Sequence, residues 1–172
     1  MHITIILGTG RIGRQSEKVA NFMLQEVKKT GNGTELIDVR DYRIEVTDRT
    51  GESRQAKTFT EKIKKADALI MVSPEYNHSY PGELKMMLDM LYDEYAGKPV
   101  GICGVSSGQF GGARMAEKLK LLCLELGMAP VRETVYFGNV QDLFDGNGKI
   151  KKQEYQERVK RLVEKLNVPI KN

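Results

Sequence analysis

The residues best suited to chemistry open with GTGRIGRQS at positions 8–16, directly after the short aliphatic run 3–7. Gly8, Gly10 and Gly13 satisfy G-x-G-x-x-G after a strand-like run, and Asp38, near the end of the next apolar run, supplies the acidic residue of a dinucleotide site. Thr9, Arg11, Arg14 and Ser16 make the loop richer than a bridging pyrophosphate requires. A terminal phosphomonoester is dianionic, and two guanidiniums, two hydroxyls and helix-start amides would neutralise it. We favour that ligand; the alternative is that Ser16 only caps a helix and the arginines are solvated.

The second stretch is SPEYNHSYPGELKMMLD at 73–89, which follows the apolar run 68–72. A run that short, bounded by polar residues, reads as a strand buried on both faces. Its polar continuation then falls at the strand's carboxyl end, where open parallel sheets bind ligands, and makes a candidate floor for a flat cofactor. Pro81 opens the next helix. A Gly- and Ser-rich turn at 106–112 follows another apolar run, 99–105.

The elements that must position these loops alternate. Strands are expected over 3–7, 36–39, 68–72, 99–105 and 128–137. Helices are expected from about Val19 to Val27, over 55–66, over 83–92, around Met115 to Leu126 and over 152–166. Residues 41–54, weakly patterned and including the Thr50-Gly51 turn signal, read as a surface loop. Strands alternating with helices imply a parallel sheet, and the length favours a flavodoxin-like three-layer sandwich: one α/β domain over 1–172, with a five-stranded sheet in the order 2-1-3-4-5.

Three motifs in this order, GTGRIGRQS at 8–16, SPEYNHSYPGELKMMLD at 73–89 and GVSSGQFGGAR at 104–114, resemble the NAD(P)H-dependent FMN reductases, a flavodoxin-like family that includes chromate, quinone and azo-dye reductases. The resemblance implies that Thr9, Arg11, Arg14, Gln15 and Ser16 hold the FMN phosphate, that Pro74, Glu75, Tyr76 and Asn77 lie along the isoalloxazine, and that Ser106, Ser107 and Gly108 approach the ring. Thr9 stands where many members carry Ser, and His78 occupies a variable position, so no role passes to it. The implied activity is hydride transfer from NADPH (or NADH) to FMN and then to a quinone, azo compound, flavin or metal oxyanion. The basic first loop favours NADPH. A homodimer or homotetramer is implied, with the helix after Pro81 at an interface.

Such chemistry demands no protein acid, base or metal, because the flavin does the redox work while the protein binds and tunes it. Two rival readings are a flavodoxin-type electron carrier, which the net charge of +4 disfavours, and a flavin-free dehydrogenase using Gly8, Gly10, Gly13 and Asp38. No run of 18 apolar residues and no signal-peptide pattern occurs, so a cytoplasmic protein without membrane or nucleic-acid partners is expected. Cys103 and Cys123 lack metal-ligand spacing and read as core residues. Lys85 and Asp89, four apart, read as a helix-surface ion pair. The segment 143–154 matches several positions of a calcium loop but starts on Leu143, so Asp145-Gly146-Asn147-Gly148 reads as tight turns.

Overall fold

The computed structural model describes residues 1–46 and 51–167, so Thr50 of the expected turn lies outside the described residues. Strand β1 (His2–Leu7) is buried on both faces, as its Ile-rich run from Ile3 to Leu7, broken only by the buried Thr4, permits. It pairs in parallel with β2 (Gly33–Asp38) on one side and β3 (Ala68–Pro74) on the other. β4 (Pro99–Val105) continues beside β3, and β5 (Ala129–Phe137) forms the far edge. The order is β2-β1-β3-β4-β5, as the alternating pattern implied.

Helices cover both faces. α1 (Ser16–Lys29), the short α5 (Val140–Leu143) and α6 (Glu154–Leu166) pack over Ile3, Ile5 and Leu7, with Phe137 stacked on Tyr155 at 4.8 Å. α2 (Arg54–Lys65), α3 (Gly82–Leu88) and α4 (Ala113–Glu125) close the opposite face over Ile6, Leu69 and Met71. Local signals agree with these boundaries. Glu17 and the pair Lys28, Lys29 sit at the ends of α1 where the helix dipole favours their charges, and the Ser53 hydroxyl caps α2 by accepting from Ala56 N at 3.1 Å.

Two differences from the sequence reading have clear causes. α3 stops at Leu88 instead of running to Tyr92, because Tyr95 turns back into the core and donates its hydroxyl to the Leu88 carbonyl at 3.1 Å. α5 carries too few residues for a periodic signal and was not expected. The turn at 145–148 is as expected: Asp145 Oδ1 accepts from the amides of Asn147 and Lys149, while Phe144 and Ile150 bridge. Cys103 and Cys123 are buried against the Met23 and Met71 sulfurs, and burial pushes both thiol pKa values up. Lys85 pairs with Asp89. No helix among the described residues is long and apolar enough to cross a membrane.

Candidate cofactor-binding site

The loops after β1, β3 and β4 converge on a cleft of about 530 Å³. Arg11, Arg14, Gln15 and Ser16 line it from the first loop, Pro74, Glu75 and Tyr76 from the second, and Ser106 and Ser107 from the third. A cavity of about 590 Å³ elsewhere is framed by α2 and the segment after α3, not by strand-end loops. Three expected site residues do not line the cleft. Thr9 is fully buried beneath it, Asn77 is at the exposed tip of the second loop, and Gly108 gives its carbonyl to the loop scaffold. Val140 and Gln141, the first two residues of α5, add a wall that the sequence did not reveal.

The first loop has a closed half and an open half. In the closed half, Gly8 N donates to Val72 O at 2.9 Å, and Gly10 N donates to Glu83 Oε1 at 2.9 Å. A Cβ on Gly8 would lie 2.8 Å from the Leu84 side chain, so this glycine serves the close approach of α3. Arg14 is buried, with both terminal nitrogens on Asp38 and one also on the Thr9 carbonyl. Burial alone would raise the Asp38 pKa, but hydrogen bonds from Arg14 and Arg40 hold it far below the usual carboxylate range. Asp38 is therefore committed to arginines rather than offered to a ribose. Arg14 clamps the loop with its charge already neutralised.

The open half keeps polar groups in reserve. Ser16 is 2 % exposed, yet its hydroxyl finds no partner, and neither does the buried Gln15 Oε1. Buried polar atoms left unpaired in a native fold call for an explanation such as a missing ligand. Ser16 is the first residue of α1, with Gln15 at the cap, so the hydroxyl is not spent on capping. The Ser16 hydroxyl, the first-turn amides of α1 and the Arg11 guanidinium are donors that fit a phosphomonoester better than the Gly8–Gly10 half fits a pyrophosphate, whereas the Gln15 side-chain carbonyl oxygen can only accept and would take a ligand hydroxyl.

The second and third loops are built for shape. Tyr76 and Ser79 exchange main-chain hydrogen bonds at 2.8 and 2.9 Å across Asn77 (φ 49°) and His78 (φ 62°), a two-residue turn with both central residues left-handed. Glu75 N and Tyr76 N are thus taken, by Val105 O and Ser79 O, which leaves the tip amides of Asn77 and His78 without an acceptor among the described residues. The Glu75 carboxylate caps α4, accepting from Met115 N at 3.4 Å with Arg114 3.7 Å away. Beneath the third loop, Gly104 of β4 is required because a Cβ there would come within 2.4 Å of the Gly111 carbonyl. Gln141 Nε2 reaches Ser107 O at 3.3 Å and ties α5 to this loop.

Glu83 was missed altogether. It stands in the first turn of α3, where sequence offers only the ordinary reading of an acidic residue at a helix start. Its Oε1 also accepts from Thr9 Oγ1 at 3.0 Å, and Thr9 Oγ1 lies 3.1 Å from the Tyr76 hydroxyl. Burial alone would raise the Glu83 pKa; the Gly10 amide, its own backbone amide and the Thr9 hydroxyl outweigh it and hold the group below its usual value.

Comparison with known proteins agrees with this geometry. Residues 1–142 match the family described as NADPH-dependent FMN reductase. A quinone reductase of Pseudomonas putida is 30% identical over 157 residues, covering 86% of this chain and 83% of that protein. An FMN-dependent NADPH-azoreductase of Staphylococcus saprophyticus is 25% identical over 177 residues, covering 98% and 94%. The solved structure of a flavoenzyme NAD(P)H:(acceptor) oxidoreductase from Paracoccus denitrificans shares the fold, with a TM-score of 0.82 over 96% of both chains at 21% identity. A family match over residues 1–142, with a 30% identical relative aligned over most of both lengths, places the chain in the NADPH-dependent FMN reductase family.

Proposed function

We propose that this protein is an FMN-dependent oxidoreductase that takes reducing equivalents from NADPH, or less readily NADH, and delivers them to a small acceptor: a quinone, an azo compound, free flavin or a metal oxyanion. The observation that carries the reading is the unpartnered Ser16 hydroxyl, a donor on a residue that lines the same cleft as the Pro74–Tyr76 turn. FMN, when bound, supplies the two-electron chemistry by accepting a hydride and passing it on. The chain's residues bind and orient it. Arg11, Ser16 and the first-turn amides of α1 would take the phosphate, and the Gln15 side-chain carbonyl oxygen a ligand hydroxyl. Pro74, Tyr76, Ser106 and Ser107 would hold the ring, and the tip amides of Asn77 and His78 remain as donors where negative charge develops.

The resemblance also supports a cytoplasmic homodimer or homotetramer, which sedimentation can measure. Leu84, Met87 and Leu88 of α3 are used in the core, Met86 is half-buried, and Leu121 and Leu124 stand exposed on α4.

The deciding experiment is spectroscopic. Apo-protein titrated with FMN gains bound-flavin absorbance, NADPH bleaches it, and a quinone restores it. Failure to bind FMN at micromolar concentrations overturns the reading, and FMN binding without bleaching by either nicotinamide cofactor leaves an electron carrier instead of a reductase.

A further inference from the structure

Glu83 belongs to neither loop, holds the first directly and reaches the second through Thr9. Its Oε1 accepts from Gly10 N at 2.9 Å and from Thr9 Oγ1 at 3.0 Å. Thr9 Oγ1 is also 3.1 Å from the Tyr76 hydroxyl and accepts from Arg11 N at 3.3 Å. The direction of this chain is fixed by proton count. A threonine hydroxyl has one proton, a carboxylate has none, so Thr9 donates to Glu83 and the Tyr76 phenol must donate to Thr9. Tyr76 is thereby held with its proton turned away from the cleft and its ring forming the wall.

A second link runs in parallel, since the Arg11 guanidinium lies 5.8 Å from the centre of the Tyr76 ring. Both of its partners line the cleft; Thr9 and Glu83 do not. The loop that would hold a phosphate and the turn that would hold a ring are therefore joined beneath the cleft by a half-buried, directional network.

We propose that Glu83 is a positioning residue that couples the phosphate side of the FMN cleft to its ring side through Thr9 and Tyr76, so that the two ends of the cofactor are bound cooperatively. The inference rests on the FMN reading above. It follows that the phosphate does more than add its own contacts. By drawing on Arg11 and the first loop, it stiffens the wall against which the ring packs. Networks of this kind are worth more together than apart, and double-mutant cycles measure the difference.

The test is FMN and riboflavin binding to apo-protein, followed by flavin fluorescence, in wild type, Tyr76→Phe, Glu83→Ala, Glu83→Gln and the double variant Tyr76→Phe/Glu83→Ala. Glu83→Ala is expected to raise the FMN Kd about tenfold and Tyr76→Phe about fivefold, with the double variant no weaker than Glu83→Ala alone. Glu83→Gln keeps an acceptor oxygen and stays within about threefold of wild type. The advantage of FMN over riboflavin shrinks by about threefold or more in Glu83→Ala.

Multiplicative effects of the two substitutions, or an FMN-to-riboflavin ratio unchanged in a variant that merely melts earlier, overturn the inference while leaving the FMN reading intact. Absence of FMN binding by the wild type overturns both. Should Glu83→Ala not fold, Thr9→Val replaces it in the same cycle with Tyr76→Phe, and the same non-additivity is expected.

Discussion

Ser16 shows how a single side chain can be costly to the empty fold and useful to the occupied one. Its hydroxyl is buried without a partner, and a group in that position is stabilising only when a ligand supplies one. Ser16→Ala should therefore leave apo-protein stability unchanged or raise it by up to about 1 kcal/mol, while weakening FMN binding by about 1.5–3 kcal/mol. Thermal melts of apo-protein and fluorescence titrations give the two opposite signs; a parallel loss in both would make Ser16 a plain structural residue. Arg11 has no carboxylate partner among the described residues, in contrast to Arg14. Arg11→Ala should cost about 1.5–3 kcal/mol in FMN affinity, and an unchanged dissociation constant would remove Arg11 from the site.

At the scale of elements, the loops are shaped by backbone conformations that few residues tolerate. His78 occupies the left-handed region at φ 62°, which costs an L residue about 1–2 kcal/mol relative to the right-handed one. Glycine removes that strain but adds backbone entropy to the unfolded chain, so His78→Gly should raise stability by about 1 kcal/mol or less and His78→Val should lower it. Urea midpoints decide, and a stability loss in the glycine variant would mean that the imidazole itself holds the turn. Gly104 is the stricter case. A methyl there meets the Gly111 carbonyl at 2.4 Å, so Gly104→Ala must displace the third loop from β4 and should destabilise by about 2–3 kcal/mol. Unaltered unfolding in that variant would show the loop to be freer than its packing implies.

At the scale of the whole molecule, several carboxylates are held ionised by partners on other elements. Burial would raise the pKa values of Glu35, Asp38 and Glu83. Lys62 with His2, Arg14 with Arg40, and the Gly10 amide with the Thr9 hydroxyl respectively pull them down instead. A depressed folded-state value means stability that is present above the unfolded carboxylate pKa of about 4 and lost as pH falls toward the folded value. Asp38 ties the edge strand β2 to the loop after β1 through a guanidinium whose side chain is 1 % exposed. Asp38→Asn leaves Arg14 buried without its bidentate partner, so it should cost about 3 kcal/mol at neutral pH. It should also flatten the decline in stability below pH 4, as urea unfolding at pH 7 and pH 3 would read. An acid limb as steep as the wild type's would place that sensitivity in other carboxylates.

The strand order, the two helical layers and the three loops that bound the cleft were legible in the sequence. Short apolar runs, turn residues and helical periodicity are local properties, and the alternation of strand and helix leaves few topologies. The roles inside the loops were only partly legible. Arg11 and Arg14 look alike in sequence, but only the pairing of β2 beside β1 brings Asp38 against Arg14 and leaves Arg11 on the cleft. Glu83 carried no signal because its partners, Thr9 and Gly10, are more than 70 positions away. Hydrogen bonding between distant segments depends on tertiary placement, so the sequence by itself determined where the cleft would form, and only the folded structure decided which of its polar groups are committed to the scaffold and which remain for a ligand.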